Sequence, residues 1–319
     1  MYTVGIDLGG TNIAIGLCDS DLKLVDKGSV PTPKDSADAI VEAMARLTRE
    51  LIERNGVMLD KLDYVGIAVP GAASDESGTV IYTANLPFRN YPISDTFKKF
   101  LPVSRVILAN DANAAALGEA ISGSAKGAGS CIMVTLGTGV GGGIIIDGKI
   151  YSGGLNSLGA EIGHTVIVAG GRQCNCGRRG CWEAYSSATA LTNMTEEKMK
   201  ELSLKGIPSL LFDEKEREGK VSARTAFNAA KRGDAYGKQI VDEYIFYLGT
   251  GITNMINIFQ PEVVSIGGGV CGEREYLTAP LSELVDTEQY TRASEIRTKI
   301  VTAALGNDAG IIGAAALGR

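Results

Sequence analysis

The sequence predicts an α/β protein with two lobes, and three observations support this. Apolar strand-like segments such as Tyr64 to Val69 and Glu262 to Ile266 alternate with segments of helical periodicity. The chain has 319 residues, which is more than one hydrophobic core usually organises. Two glycine-rich segments, VGIDLGGTNIAIG and VTLGTGVGGGIII, share a plan of strand, turn and strand, which indicates a weak internal duplication.

Each of these two segments reads as a hairpin, the first over Tyr2 to Leu17 and the second over Cys131 to Asp147. Their Gly/Thr turns present backbone N–H groups and hydroxyls at a concave point, which suits phosphate oxygens. Either hairpin alone could be purely structural, but together they favour a nucleotide phosphate site. A third glycine cluster, Ile266 to Val270, would let the backbone approach a flat ligand closely.

Two long apolar stripes predict core helices over Asp35 to Asn55 and Asp234 to Phe259, the second ending before a proline. Between them, the strand Arg105 to Ala109 leads into Asn110 and Asp111 at the start of an alanine-rich helix. Strand ends are where open α/β sheets bind ligands, and a carboxylate there could take a proton from a hydroxyl. Asp111 could equally be the N-cap of its helix, so the residue alone leaves both readings open.

The run from Glu161 to Glu183 holds the single histidine of the chain and three of its six cysteines. His164, Cys174, Cys176 and Cys181 are the residue types that close a tetrahedral structural zinc site. Only one residue separates Cys174 from Cys176, which makes a disulfide between them awkward. The alternative is a glycine-rich loop with incidental thiols; the composition of the run favours structural Zn²⁺.

Charge and composition exclude several classes of protein. The formal net charge of -6 argues against a broad nucleic-acid surface. The apolar runs are too short or too glycine-broken to span a bilayer, and we expect no leader, no membrane partner and a cytoplasmic protein. The cysteines should then be reduced thiols or metal ligands.

Several motifs, taken in order along the chain, resemble the ROK family (repressors, open reading frames and kinases), and within it the bacterial ATP-dependent glucokinases. These motifs are DLGGTN, VPG, Asn85-Leu86, NDANAAALGE, LGTGVGGG, EIGH, CNCGRRGCWE and IGGGV. The resemblance implies a two-lobed actin-like (ribonuclease H-like) ATPase fold with duplicated hairpin phosphate sites and a structural zinc loop at 161–183. We expect a small lobe at 1–112, with a C-terminal helix at about 304–319 packing back on it, and a large lobe at 113–303.

The resemblance also implies roles for individual residues in transfer of the γ-phosphoryl group of ATP to the 6-hydroxyl of a hexose. Asp111 would be the general base, and His164 with the three cysteines would bind zinc. Asp7 would orient Mg²⁺. The expected sugar contacts are Asn85, Asn110, Asp111, Glu161, His164 and Glu183. The expected nucleotide contacts are Asp7, Gly9, Gly10, Thr11, Asn12, Thr138, Gly139, Gly268 and Gly269.

The sequence alone leaves the preferred sugar and the oligomeric state open. Pro87-Phe88 stands where many glucokinases of the family have a small residue and tryptophan, near the sugar in relatives. Glucose is expected, with fructose, mannose, allose, N-acetylglucosamine and N-acetylmannosamine as alternatives. A sugar-responsive, non-catalytic regulator is a further alternative, although we expect no helix-turn-helix segment before the first hairpin. Relatives suggest a homodimer or homotetramer.

Overall fold

Two five-stranded sheets with corresponding strand orders organise the computed structural model, which describes residues 1–154 and 158–319. The strands are β1 (Tyr2–Leu8), β2 (Asn12–Cys18), β3 (Leu24–Pro31), β4 (Leu62–Val69), β5 (Ala72–Ser74), β6 (Thr79–Tyr82), β7 (Arg89–Tyr91), β8 (Val106–Asn110), β9 (Cys131–Leu136), β10 (Val140–Ile146), β11 (Lys149–Tyr151), β12 (Val263–Gly268) and β13 (Lys299–Thr302). The α-helices are α1 (Ala37–Arg54), α2 (Ile93–Phe100), α3 (Asp111–Ser122), α4 (Glu183–Ser186), α5 (Ala188–Lys205), α6 (Leu210–Glu218), α7 (Ala223–Lys231), α8 (Ala235–Phe259), α9 (Glu275–Glu288) and α10 (Ala309–Ala316).

The strand orders explain the similarity between the two glycine-rich segments. The first sheet has the order β3-β2-β1-β4-β8, and the second has β11-β10-β9-β12-β13. In the first sheet β2 and β3 are antiparallel and β4 and β8 are parallel. The corresponding pairs of the second sheet match, since β10 and β11 are antiparallel and β12 and β13 parallel. Each sheet therefore has a glycine-rich hairpin at its centre, and the predicted duplication is confirmed at the level of topology. A separate three-stranded sheet, β5-β6-β7, carries the polypeptide between β4 and α2.

Glycines allow α10 to lie directly on the first sheet. A Cβ at Gly5 of β1 would stand 1.9 Å from the carbonyl oxygen of Ile311, and one at Gly66 of β4 would stand 1.8 Å from that of Ala314. No residue with a side chain fits at such separations, so the absence of a Cβ at these two positions permits the contact. The backbone of α10 therefore lies in direct contact with β1 and β4.

The two long helices begin at side-chain caps. Ser36 accepts a hydrogen bond from the N–H of Ala39 at the start of α1, and Asp234 accepts one from Gly237 at the start of α8. The apolar stripes predicted for both helices are buried, with Met44 and Leu248 fully so. Periodicity therefore located these helices and their buried faces correctly.

The chain divides into two compact units. The first comprises Met1–Met133, Gly143–Ala160 and Ala304–Arg319, and the second Val134–Gly142 and Glu161–Ala303. The predicted lobes, 1–112 and 113–303, stay a prediction; residue 112 lies inside α3, and all of α3 belongs to the first unit. None of the helices in the described part of the chain combines the length and apolar character that a membrane-spanning segment needs.

Candidate active site and metal centre

The turn between β1 and β2 is held in place by its own backbone and by the residue after β3. The N–H of Gly9 donates to the carbonyl of Asn12 at 2.9 Å, and the hydroxyl of Thr32 donates to the carbonyl of Gly9 at 2.7 Å. Space beside Gly10 is open, and Thr11 is exposed. The turn therefore offers backbone N–H groups to a ligand, as a phosphate-binding element requires. It lines a cavity of about 670 Å³.

Asp7, near the end of β1, lines the same cavity, and its surroundings disfavour its negative charge. Burial, together with the charge of Asp111, raises the pKa of its carboxyl group from 3.8 to about 6. A Cβ at Gly310, in the first turn of α10, would stand 2.5 Å from the Oδ2 atom of Asp7. Asp7 and Asp111 are close enough for the charge of Asp111 to act on Asp7, and carboxylate oxygens are the ligands that Mg²⁺ prefers, so the residues fit the predicted Mg²⁺.

Asp111 is the first residue of α3, and the helix cap is its neighbour Asn110. The Oδ1 atom of Asn110 accepts from the N–H groups of Ala112 at 2.9 Å and Asn113 at 3.2 Å. The side-chain amide of Asn110 also donates to the carbonyl of Gly71 at 3.1 Å. Capping is thus the task of Asn110. The carboxylate of Asp111 is half-buried, also accepts from Ala112 at 2.8 Å, and stands where the helix dipole favours a negative charge.

Asn85 lies on a short loop that hydrogen bonds from Thr83 and Arg89 stabilise. The hydroxyl of Thr83 donates to the carbonyl of Leu86 at 2.7 Å. The guanidinium of Arg89 donates to the carbonyls of Thr83 and Phe88 and stacks over the ring of Tyr82 at 3.9 Å. Asn85 itself is exposed. The loop therefore presents Asn85 on a rigid support.

Phe88, in the segment expected near the sugar, belongs to the hydrophobic core. Its side chain is fully buried and makes an edge-to-face contact with Tyr91, with ring centroids 5.2 Å apart. In this extended segment Leu86 and Phe88 face inward, while Pro87 is exposed. The aromatic residue of this chain is thus a packing residue.

In the second unit, the turn between β9 and β10 contacts the carboxylate of Glu183. The Oε2 atom of Glu183 accepts from the N–H of Val140 at 3.1 Å, and a Cβ at Gly139 would stand 2.2 Å from that oxygen. A side chain at this position would displace the carboxylate of Glu183 from its present place. Thr138 is exposed at the tip, and Thr138 and Glu183 line a cavity of about 330 Å³.

The four predicted zinc ligands are brought together. One ligand atom from each of His164, Cys174, Cys176 and Cys181 lies within 4.8 Å of all the others. Cys176 Sγ is 3.6 Å from Cys181 Sγ, and Cys174 Sγ is 3.7 Å from Nδ1 of His164. Zinc–ligand bonds of about 2.0 to 2.3 Å place two corners of a tetrahedron about 3.5 to 3.8 Å apart, so the donor set fits a four-coordinate ion.

The thiols differ in environment. Burial raises the pKa of Cys174 to about 12, and burial also raises the pKa of Cys181. The N–H of Arg178 lowers the pKa of Cys176. A bound cation would supply the positive charge that two buried thiolates need.

Glu183 contacts both the cysteine cluster and the turn between β9 and β10. Its Oε1 atom lies 3.6 Å from Cys174 Sγ, while its Oε2 atom accepts from Val140. Nδ1 of His164 faces the cysteines, so a metal ion bound there would use this nitrogen and leave Nε2 available for a hydrogen bond. Glu161 precedes this histidine and is exposed.

The third glycine cluster ends β12 with exposed backbone. Gly268 has φ of +84°, and a Cβ there would stand 2.4 Å from the carbonyl oxygen of Leu136. Gly269 is exposed, with open space beside it. A flat ligand could therefore lie on this backbone, although the role of both glycines stays a prediction.

Sequence reasoning missed residues that support the site without touching it. Gly310 beside Asp7, Arg89 beneath Asn85 and the buried carboxylate Glu119 are the main ones. Gly310 lies 303 residues from Asp7 in the sequence, so no local pattern could have found it. Glu119 ends the quoted motif NDANAAALGE, which was the one available signal.

Comparison with known proteins gives the family. A family model described as the ROK family matches residues 3–319. The chain belongs to the ROK family. It is 36% identical over 316 residues to a glucokinase of Halalkalibacterium halodurans, with 98% of this chain and 93% of that protein covered. A glucokinase of Thermotoga maritima is also 36% identical over 316 residues, with 98% and 96% covered.

A solved structure extends the likeness to the fold. It is the crystal structure of a ROK family glucokinase from Streptomyces griseus in complex with glucose and AMPPNP. Sequence identity is 32%, the TM-score is 0.77, and 99% of each chain is covered. The predicted fold class, a two-lobed actin-like ATPase fold, is thereby confirmed.

Proposed function

We propose that this chain is an ATP-dependent glucokinase, which transfers the γ-phosphoryl group of Mg-ATP to the 6-hydroxyl of D-glucose. The similarity to glucokinases along the whole chain supports the activity. The observation that supports the mechanism is that Asn110, and not Asp111, is the N-cap of α3. Because Asn110 caps the helix, Asp111 can act on a substrate hydroxyl.

Asp111 would accept the proton of the 6-hydroxyl as the sugar oxygen attacks the γ-phosphorus. Phosphoryl transfer depends mainly on positioning and on neutralising charge, so a positioned base adds a factor of about 10² to 10⁴. The helix dipole at the start of α3 favours the ionised carboxylate, which is the form that accepts the proton. Asp111 would also hold the hydroxyl in line with the phosphate.

The two glycine turns would bind the phosphates. Gly9, Gly10, Thr11 and Asn12 offer donors on the first hairpin, and Thr138 with Gly139 offers them on the second. Asp7 would hold Mg²⁺, through water, and the ion when bound neutralises phosphate charge. Gly268 and Gly269 would support the adenosine.

Sugar hydroxyls both donate and accept hydrogen bonds, which suits the proposed set of amides and carboxylates. We assign the sugar contacts to Asn85, Asn110, Asp111, Glu161, His164 and Glu183. In this assignment Asn110 contributes through an amide N–H, since its oxygen caps α3. Of the two residues that differ from many relatives, Phe88 faces the core and only Pro87 is exposed, so the burial of Phe88 removes one of the two reasons to doubt glucose.

His164, Cys174, Cys176 and Cys181 would hold a structural Zn²⁺. Thiolate and imidazole ligands suit this ion, and four protein donors leave no open position for catalysis at the metal. The ion would fix the ring of His164 and the loop that carries Glu183. Zinc is therefore proposed to support sugar binding.

A coupled assay of ADP formation over a panel of hexoses tests the substrate. We expect D-glucose to give the highest kcat/KM among glucose, mannose, fructose, allose and the two N-acetylhexosamines. A higher kcat/KM for another sugar would reassign the substrate within the family. The absence of sugar-dependent ADP formation with every hexose would favour the regulator instead.

A further inference from the structure

Glu119 of α3 is a fully buried carboxylate with several hydrogen-bond donors around it. Its Oε2 atom accepts from the N–H of Ser124 at 2.7 Å and from the hydroxyl of Ser124 at 2.8 Å. Its Oε1 atom accepts from the N–H of Ala304 at 3.0 Å and from that of Leu305 at 2.8 Å. A buried charge is tolerated when it is satisfied in this way, and removing its donors or its oxygens is costly.

These bonds join α3 to the segment that leads into α10. The two helices themselves pack at backbone distance: a Cβ at Gly118 would stand 2.3 Å from the carbonyl oxygen of Ala309, and one at Gly313 would stand 1.6 Å from that of Ala114. Such smooth helix surfaces approach closely but have few side chains that interlock. Glu119 supplies a directional attachment at the end of this contact.

The starts of both helices border the acidic groups of the proposed site. Asp111 opens α3, and Gly310 in the first turn of α10 touches the carboxylate of Asp7. A shift of α10 along α3 would therefore displace the boundary of the Asp7 site relative to Asp111. We propose that Glu119 is a positioning residue that sets the register of α10 against α3, and thereby the placement of Asp111 relative to Asp7.

This inference rests on the proposed kinase function, and it predicts a particular kinetic pattern. Misplacement of reacting groups by about 1 Å costs up to about 10²-fold in rate. Glu119 is buried away from solvent, so it contributes no direct contact to a sugar or a nucleotide. Its loss should therefore lower kcat much more than it changes either KM.

The experiment compares Glu119→Gln with Glu214→Gln in the full-length protein. Glu214, in α6, is also fully buried and is paired with Arg217 and Arg232, and it lies outside the proposed site. Steady-state kinetics with glucose and ATP and thermal melting are measured for both variants. We expect kcat to fall about 10- to 100-fold in Glu119→Gln, with both KM values within about twofold of wild type.

The control should lose thermal stability while its kcat stays within about twofold of wild type. A wild-type kcat in Glu119→Gln, a rise of either KM that matches the fall in kcat, or an equal loss of kcat in the control would overturn the inference. A wild-type protein without kinase activity on any hexose would refute the proposed function first, and this inference with it.

Ser124→Ala provides a second variant should Glu119→Gln fail to fold. It keeps the carboxylate and removes only the hydroxyl that donates to Oε2. We expect a smaller fall in kcat, about two- to fivefold, again with unchanged KM values. A wild-type kcat in a folded Ser124→Ala protein would then overturn the inference.

Discussion

Replacing Asp7 by asparagine should stabilise the ligand-free protein at pH 8 while abolishing its activity. The carboxyl group of Asp7 has a folded-state pKa of about 6, against 3.8 in the unfolded chain, because of burial and the nearby charge of Asp111. At pH 8 the wild-type protein therefore carries a charge that its folded state disfavours. Asparagine has nearly the same shape without that charge.

The size of the expected gain in unfolding free energy follows from the shift in the pKa of Asp7. A difference of about two pKa units corresponds to about 3 kcal/mol of unfolding free energy. The folded state binds the proton more tightly, so the contribution of Asp7 to stability is most favourable below pH 4 and is lost as the pH rises through 6. The gain in Asp7→Asn should thus approach 3 kcal/mol at pH 8 and disappear near pH 4.

Urea unfolding of both proteins at pH 8 and at pH 4, without nucleotide and Mg²⁺, measures this difference. Asp26→Asn is a control of opposite sign, because hydrogen bonds from Arg54 and Asn55 lower the pKa of Asp26 to about 2. That variant should lose stability at pH 8. Equal stability of Asp7→Asn and wild type at pH 8, or a gain of the same size at both pH values, would refute this reasoning.

Two further predictions concern the metal and the sugar loop. Elemental analysis should find about one zinc per chain, and removing it should raise the glucose KM and lower the melting temperature; a metal-free protein with full activity would contradict this. Zinc binding at pH 7 should also release protons, since burial raises the pKa of Cys174 to about 12; calorimetry in two buffers checks it. Arg89→Ala frees the loop of Asn85, so the glucose KM should rise about 10-fold with little change in kcat, and Arg89→Lys should restore part of the affinity. An unchanged glucose KM in the alanine variant would remove Arg89 from this role.

Much of the fold could be predicted because the relevant signals are local. The helix predicted over Asp234 to Phe259 is α8, Ala235–Phe259, and the strand predicted over Glu262 to Ile266 is β12, Val263–Gly268. Long apolar periodicity and a following proline fix such elements. By contrast, the charged segment from Thr189 to Lys220 gave no clear pattern and forms α5 and α6. Among its residues α6 buries only Leu211 and Glu214, so periodicity carries little information there.

The site was harder to predict because its decisive features depend on packing. The metal cluster could be located, since its four residues are close in sequence and of distinctive type. Three features needed the tertiary structure: the capping role of Asn110, the inward orientation of Phe88, and the contact between Asp7 and Gly310. Asp7 and Gly310 are far apart in the chain, and the core around Phe88 sets its orientation. Capping by Asn110 is local, but the sequence does not tell which of the adjacent residues Asn110 and Asp111 caps α3.

The central claim, that Asp111 takes the proton of a glucose hydroxyl, is tested most directly by following the product. Phosphorus NMR of a reaction with glucose and Mg-ATP should show glucose 6-phosphate with the wild-type protein. The Asp111→Asn variant should form it about 10² to 10⁴ times more slowly while binding glucose with similar affinity. Equal rates of glucose 6-phosphate formation by the two proteins would contradict the claim.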